Sequence, residues 1–230
     1  MGTSKGYIAP TKPEWTSAKR AVSSFLRNRD SESKANAVKK YAEAMNSATP
    51  ATYSSFASAA GNVLGFASGV SHNGVDNTLH FWGRDDLIGK DPEFIMNELL
   101  DQFTNNQSTL EDSLAADALS QTFENLDINT VEDFGGIDLD VMLKELVTEF
   151  VNISFDLRFE EKIGKGRTPA EKTSILSEMH NYMADTIQAS LSKKELQHID
   201  FSNISAAKIV QETLGEALSL CTNYYGELNS

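Results

Sequence analysis

The sequence predicts an all-α fold, a multi-helix bundle with a flexible N-terminal tail. Apolar residues recur at spacings of three and four over most of the chain, which is the period of an amphipathic helix. Capping residues, prolines and glycines mark the expected starts and ends of these helices. No run alternates apolar and polar residues over a length that would indicate a strand. Apolar residues make up 40% of the 230 residues, which is enough for a hydrophobic core.

The N-terminal third contains three helix patterns. Pro13 predicts a helix to about Asn28, because proline at the first helical position loses no hydrogen bond. Further helices are expected over residues 33–46 and 50–71, the latter started by Thr49 and Pro50. The third helix carries four small residues at four-residue steps: Ala57, Gly61, Gly65 and Gly69. An interior glycine costs about 1 kcal/mol relative to alanine, so this stripe predicts close packing against another backbone.

The rest of the chain continues the helical pattern. A glycine- and asparagine-rich stretch, residues 71–77, predicts a hinge. The longest helix is expected over about residues 138–163, and Gly164 and Gly166 would end it. The other helices are expected to begin at recognisable start signals: Asp91-Pro92, a capping box from Ser108 to Glu111, the combined cap and proline Thr168-Pro169, Ser192 and Ser205.

Charge is distributed unevenly. Residues 1–50 have a balance of +5 and the remainder −18, within a net charge of −13. We therefore divide the chain into a tail (1–12), a basic helical arm (13–72) and an acidic helical body (73–230). The arm could face an anionic partner, or it could be solvated or packed on the acidic body; we favour the second interpretation. The net charge argues against direct nucleic-acid binding.

The sequence lacks the residue patterns that several kinds of functional site require. The single cysteine, Cys221, excludes an intramolecular disulfide framework and is expected to be buried. The four histidines have no partner at metal-ligand spacing, so no metal site or cofactor is predicted. Residues 83–90 miss the phosphate-loop pattern in glycine spacing, and Asp91 stands where serine or threonine is needed. We find no catalytic constellation, no secretory signal and no spanning segment, and we expect a cytoplasmic protein.

The N-terminus has chemistry of its own. Removal of Met1 would leave Gly2, whose α-amine has a pKa near 7.7–8.0 and is partly unprotonated at neutral pH. The next residues are small or polar, and Pro10 favours an extended backbone before it. Such a tail could enter the cleft of another enzyme; the alternative is a terminus without a role.

The opening Met1-Gly2-Thr3-Ser4, followed by Tyr7, resembles the start of QatB-type proteins from the Qat anti-phage defence systems. Those proteins typically continue with Gly-Gly-Pro, whereas this chain has Ile8-Ala9-Pro10. Residues 86–93 resemble the family's step between helices, and residues 110–163 resemble its pairing of a leucine-rich helix with a long apolar one.

The resemblance implies a non-enzymatic defence component. The chain would act as a protein substrate and adaptor for a QueC-like enzyme of the same operon. That enzyme would join a 7-deazaguanine to Gly2. The partner-binding residues would be Thr3, Ser4, Lys5, Gly6, Tyr7 and Pro10. The operon's ATPase and TatD-like nuclease are further candidate partners. An alternative is a scaffold that joins the ATPase or nuclease through the basic arm, and a third is a nucleic-acid sensor using the same arm.

Overall fold

Within residues 12–47, 53–199, 201 and 205–223, which are the ones described by the computed structural model, there are nine α-helices. They are α1 (Pro13–Asn28), α2 (Ser31–Asn46), α3 (Ser54–Asn73), α4 (Val75–Phe81), α5 (Pro92–Phe103), α6 (Leu110–Asn125), α7 (Leu139–Gly164), α8 (Pro169–Ser190) and α9 (Ala206–Asn223). No strand occurs in these residues, which confirms the all-α prediction. The predicted tail lies outside them except for Lys12, as do Thr49 and Pro50.

Capping decides where several helices begin. Helix α1 has the predicted bounds, but α2 begins before the predicted residue 33, because the Asp30 carboxylate accepts a hydrogen bond from the backbone N–H of Ser33. The capping box before α6 uses Thr109 and Asp112, one residue after the predicted pair. The box predicted at Thr168 is confirmed.

The structure differs from the expected helix bounds at two connections. Most of residues 71–77 are helical: α3 continues to Asn73, α4 begins at Val75, and Gly74, at a φ of +78°, separates them. That this stretch acts as a hinge stays a prediction. The helix predicted from Ser192 is a 3-10 turn at Leu196–His198. The cause is tertiary, because the Asp140 carboxylate accepts hydrogen bonds from the backbone N–H groups of Lys194 and Leu196, at 2.5 and 3.0 Å.

Helix α7 contributes much of the hydrophobic core. It packs against α1, α3, α6, α8 and α9. Its Phe155 ring meets the ring of Tyr41 edge to face, with centroids 5.2 Å apart, and its Phe150 ring stacks on Phe56 at 4.0 Å. The buried Tyr41 hydroxyl donates to the carbonyl oxygen of Val151 over 2.8 Å. That bond satisfies a polar group which burial would otherwise make costly.

The glycine stripe of α3 serves three different contacts. A Cβ atom at Gly61 would lie 2.6 Å from the backbone nitrogen of Ala207 in α9, so the predicted close backbone approach is confirmed at this position. A Cβ at Gly69 would lie 2.8 Å from the side chain of Thr78 in α4. A Cβ at Gly65 would lie 3.7 Å from the Trp82 ring, which is ordinary van der Waals contact.

Two cations of the first helical hairpin pair with an acidic residue of the later chain. Arg29 and Lys34 approach the carboxylate oxygens of Glu178 in α8, at 2.6 and 3.2 Å. These side chains are partly exposed, so each ion pair contributes little to stability. The contacts agree with the interpretation that the basic arm packs on the acidic body, while the boundary at residue 72 stays a prediction.

We expect Gly61→Ala to lower the free energy of unfolding by about 1–3 kcal/mol, because its methyl group would force α3 and α9 apart. Urea denaturation followed by circular dichroism measures the change. The matched control is Gly65→Ala, four residues along the same helix, which we expect to stabilise the protein by about 0.5–1 kcal/mol through helix propensity. Equal effects of the two substitutions would contradict the close approach at Gly61.

Candidate functional site

All residues of the predicted site precede the described part of the chain. Gly2, Thr3, Ser4, Lys5, Gly6, Tyr7 and Pro10 lie outside the described residues, so their roles stay predictions. What the structure does describe is the point on the bundle from which they extend, and the surface around it.

The start of α1 is firmly attached to the bundle. Lys12 is exposed, and its ammonium donates a hydrogen bond to the backbone oxygen of Ser47, over 2.6 Å. Three residues later, Trp15 is buried, and the guanidinium of Arg158 lies 4.4 Å from its ring centroid. The first described residue, Lys12, therefore lies next to the C-terminal end of α2.

A groove lies at this same end of the bundle, between the end of α2, the start of α3 and the middle of α9. We call it the α2–α3–α9 groove; its volume is about 260 Å³. Tyr53 forms part of its wall and donates its hydroxyl hydrogen to the Met45 carbonyl oxygen over 2.8 Å. The other lining residues come from α2 and α9: Asn46, Gln211, Glu212, Leu214, Gly215 and Leu218.

A second groove, of about 600 Å³, lies between α3, α4 and residues 197–201. Gly65 and Gly69 belong to its α3 side, and Trp82 and Phe81 belong to its α4 side. Phe81 is 80% exposed. His72 also lines the groove, and its Nδ1 donates to the Ser68 carbonyl oxygen over 2.8 Å.

Other residues considered from the sequence have structural contacts. His180 Nε2 lies 2.7 Å from a carboxylate oxygen of Asp156. Trp82 is half-buried, and its ring centroid lies 5.3 Å from that of Phe103. Arg84, in the segment that resembles a phosphate loop, pairs with Asp86 and Glu98, both at 3.0 Å. No group of three or more histidine, cysteine, aspartate or glutamate residues suited to a metal ion occurs in the described ranges.

The sequence did not predict the α2–α3–α9 groove. Its lining residues come from three helices that are distant along the chain, and their helical periodicity identifies them only as core or boundary positions. A signal in the sequence is Gly215, a glycine inside a predicted helix, where it costs helix stability. The structure shows that packing does not require this glycine, since a Cβ there would meet no atom within 4 Å.

Burial raises the pKa of the Cys221 thiol to about 12, and the residue is buried as predicted. We expect Cys221 to react with thiol reagents at pH 8 far more slowly in the folded protein than in the unfolded chain, because burial both blocks the reagent and disfavours the reactive thiolate. Because the folded-state pKa is the higher one, the stabilisation is complete below about pH 8.5 and is lost as the pH rises towards 12. Thiol titration with and without denaturant measures the reactivity; fast labelling of the folded protein would contradict the burial.

In the part of the chain that the structure describes, no helix has both the length and the apolar character needed to cross a bilayer.

Comparison with known proteins identifies the family. The family model described as "Qat anti-phage system associated protein QatB" matches residues 44–221, a range from the end of α2 to the last turns of α9. The match extends beyond the central region that shows the resemblance, and it does not include the N-terminal block. No curated protein and no solved structure gave a significant match. On the extent of the family match, the chain belongs to the QatB family of Qat anti-phage system associated proteins.

Proposed function

We propose that this protein is a non-enzymatic component of a Qat defence system that offers its N-terminal amine to a QueC-like enzyme of the same operon. The observation that carries the proposal is the N-terminal block, Gly2 to Ser4 with Tyr7, on a chain that belongs to the QatB family. In this proposal Thr3, Ser4, Lys5, Gly6, Tyr7 and Pro10 contact the partner, and the helical bundle supplies no reacting group.

The proposed step is an acyl transfer. QueC-type enzymes use ATP to activate a carboxylate, which they normally pass to ammonia. Here the unprotonated amine nitrogen of Gly2 would attack the activated carbonyl carbon of a 7-deazaguanine carboxylate. An amide C–N bond forms, the activating group leaves with its bonding electrons, and the amine nitrogen loses a proton. A pKa near 7.7–8.0 makes this amine a better nucleophile at neutral pH than a lysine.

The way α1 is attached supports this function. Lys12, the residue before α1, is exposed and bound to Ser47, and the buried Trp15 holds the first turn of the helix in the core. A partner that binds residues 2–10 therefore meets a chain whose other end is held in place.

Co-expression with the operon partners tests the proposal. We expect intact-mass analysis to show loss of Met1 and the added mass of a deazaguanine acyl group, and peptide sequencing to place that mass on Gly2. Inserting a proline after Met1 turns the Gly2 nitrogen into a peptide nitrogen and should abolish the modification at Gly2, whereas the matched control Thr11→Ala keeps the Gly2 amine and every proposed partner contact. An unmodified Gly2 beside an active partner would rule out the proposal.

The basic arm favours a second candidate function, a scaffold that binds the ATPase or nuclease of the same system. This candidate rests on three cationic side chains that are exposed on α1: Lys19, Arg20 and Arg27. Arg29 is unsuitable as a test position, because it pairs with Glu178 in the same chain.

For the scaffold, we expect the triple reversal Lys19→Glu, Arg20→Glu and Arg27→Glu to lower co-purification of the partner at least tenfold, with an unchanged circular dichroism spectrum. The control reverses exposed acids on another helix, Glu93 and Asp101 of α5, to lysine. If the complex stays intact at physiological salt after the triple reversal, this candidate is wrong.

A further inference from the structure

We infer that in the free protein Tyr7, Ile8 and Pro10 of the N-terminal segment bind in the α2–α3–α9 groove, so that residues 2–6 extend from a fixed point on the bundle, and that Tyr7 and Pro10 leave the groove when a partner binds them. The docking itself does not depend on the proposed function. Its consequence, that the groove controls how Gly2 is presented to another protein, rests on that function.

The first argument is reach. Lys12 is bonded to Ser47, which directly follows a lining residue of the groove, Asn46. An extended chain spans at most about 3.3–3.6 Å per residue, so Pro10 lies within about 7 Å of Lys12 and Tyr7 within about 17 Å. Helix α1 has 16 residues and is therefore about 24 Å long. These residues can reach the groove but not the opposite end of the bundle, where Arg29 meets Glu178.

The second argument is chemical complementarity. The inner wall of the groove is apolar, formed by Met45, Tyr53, Leu214 and Leu218. Among residues 2–11, the larger apolar side chains are concentrated at positions 7–10, while residues 2–6 are small or polar. A volume of about 260 Å³ is smaller than the ~300–1,000 Å³ of typical small-molecule sites. It suits two or three side chains better than a cofactor.

The third argument is charge. Glu212, on the α9 side of the groove, is exposed, and its carboxylate meets Lys208 only at 3.8 Å. Residues 1–11 contain Lys5 and no acidic residue. An attraction between Lys5 and Glu212 would orient the segment with Tyr7 towards the groove, at an energy that salt reduces.

The C-terminal residues fit the groove less well. Asn223 lies eight residues beyond Gly215 along α9, a separation of about 12 Å. Tyr224 and Tyr225 would have to turn back along their own helix to reach the same surface, whereas the N-terminal segment starts beside it. Occupancy by these residues, or by a second copy of the chain, is distinguished by the experiment below.

Disulfide formation between introduced cysteines tests the docking in the full-length protein. Gly215→Cys places a thiol in the groove without a clash, since a Cβ there meets no atom within 4 Å, and the buried Cys221 does not compete. With Ala9→Cys as its partner, which keeps Tyr7, Ile8 and Pro10, we expect intramolecular cross-linking several times faster than for the control pair Ala9→Cys and Ser219→Cys. Ser219 is exposed one turn further along α9, within the same reach of the segment but outside the groove lining.

Three results would overturn the inference. Equal cross-linking rates for the two pairs would show that the segment samples the groove and the neighbouring surface alike. Preferential cross-linking of Tyr225→Cys with Gly215→Cys would assign the groove to the C-terminal residues. Disulfide-linked dimers as the main product would assign it to a second copy of the chain.

Filling the groove provides a second readout. We expect Gly215→Phe to keep or raise thermal stability, because it replaces an interior helix glycine, and to speed chymotrypsin cleavage after Tyr7 several-fold by displacing the segment. The matched control is Ser219→Phe, at an exposed position of the same helix, which should leave the cleavage rate unchanged; equal rates for the two variants would also overturn the inference.

These outcomes separate the two proposals. A preferred cross-link together with an unmodified Gly2 would support the docking and contradict the proposed function. A modified Gly2 without the preferred cross-link would support the proposed function and contradict the docking.

Discussion

The close approach of α3 and α9 at Gly61 is the constraint on which the rest of the bundle depends. The backbone nitrogen of Ala207 lies 2.6 Å from the place that a Cβ of residue 61 would occupy, so no other residue allows this contact unchanged. Asp140 acts at the preceding connection, where its carboxylate binds two backbone N–H groups. The first contact sets how closely the first turn of α9 lies on α3, and the second holds the chain that leads away from α8.

The position of α9 has a consequence at the start of α3. Because α9 crosses both α2 and the start of α3, it leaves a shallow apolar groove there, beside the residue from which the N-terminal segment extends. One end of the bundle thus combines the attachment point of the segment with a surface that could hold it. In the function that we propose, the core provides rigidity, and the chemistry belongs to residues 2–10 and to the partner enzyme.

Local signals were sufficient for most of the helices. Pro13 and the box at Thr168 act within one turn of the helix that they start, so their positions are visible in the sequence. Local signals place the start of α6 only to within one residue, because Ser108 and Thr109 are both good capping residues. The hydrogen bonds of Asp112 in the structure show that Thr109 is the cap. The turn at residues 196–198 was missed because its backbone is held by Asp140, 54 residues earlier than Lys194.

The sequence by itself determined that this chain is helical, where most helices begin and end, and that it resembles the QatB family, since periodicity, capping and motif residues are local features. Only the tertiary structure decided what each glycine of α3 touches, that Arg29 and Lys34 pair with Glu178, and that Met45, Tyr53 and Leu214 line one groove. These facts depend on the positions of helices relative to one another. Helix packing sums many weak contacts between distant segments, and no single stretch of sequence contains that sum.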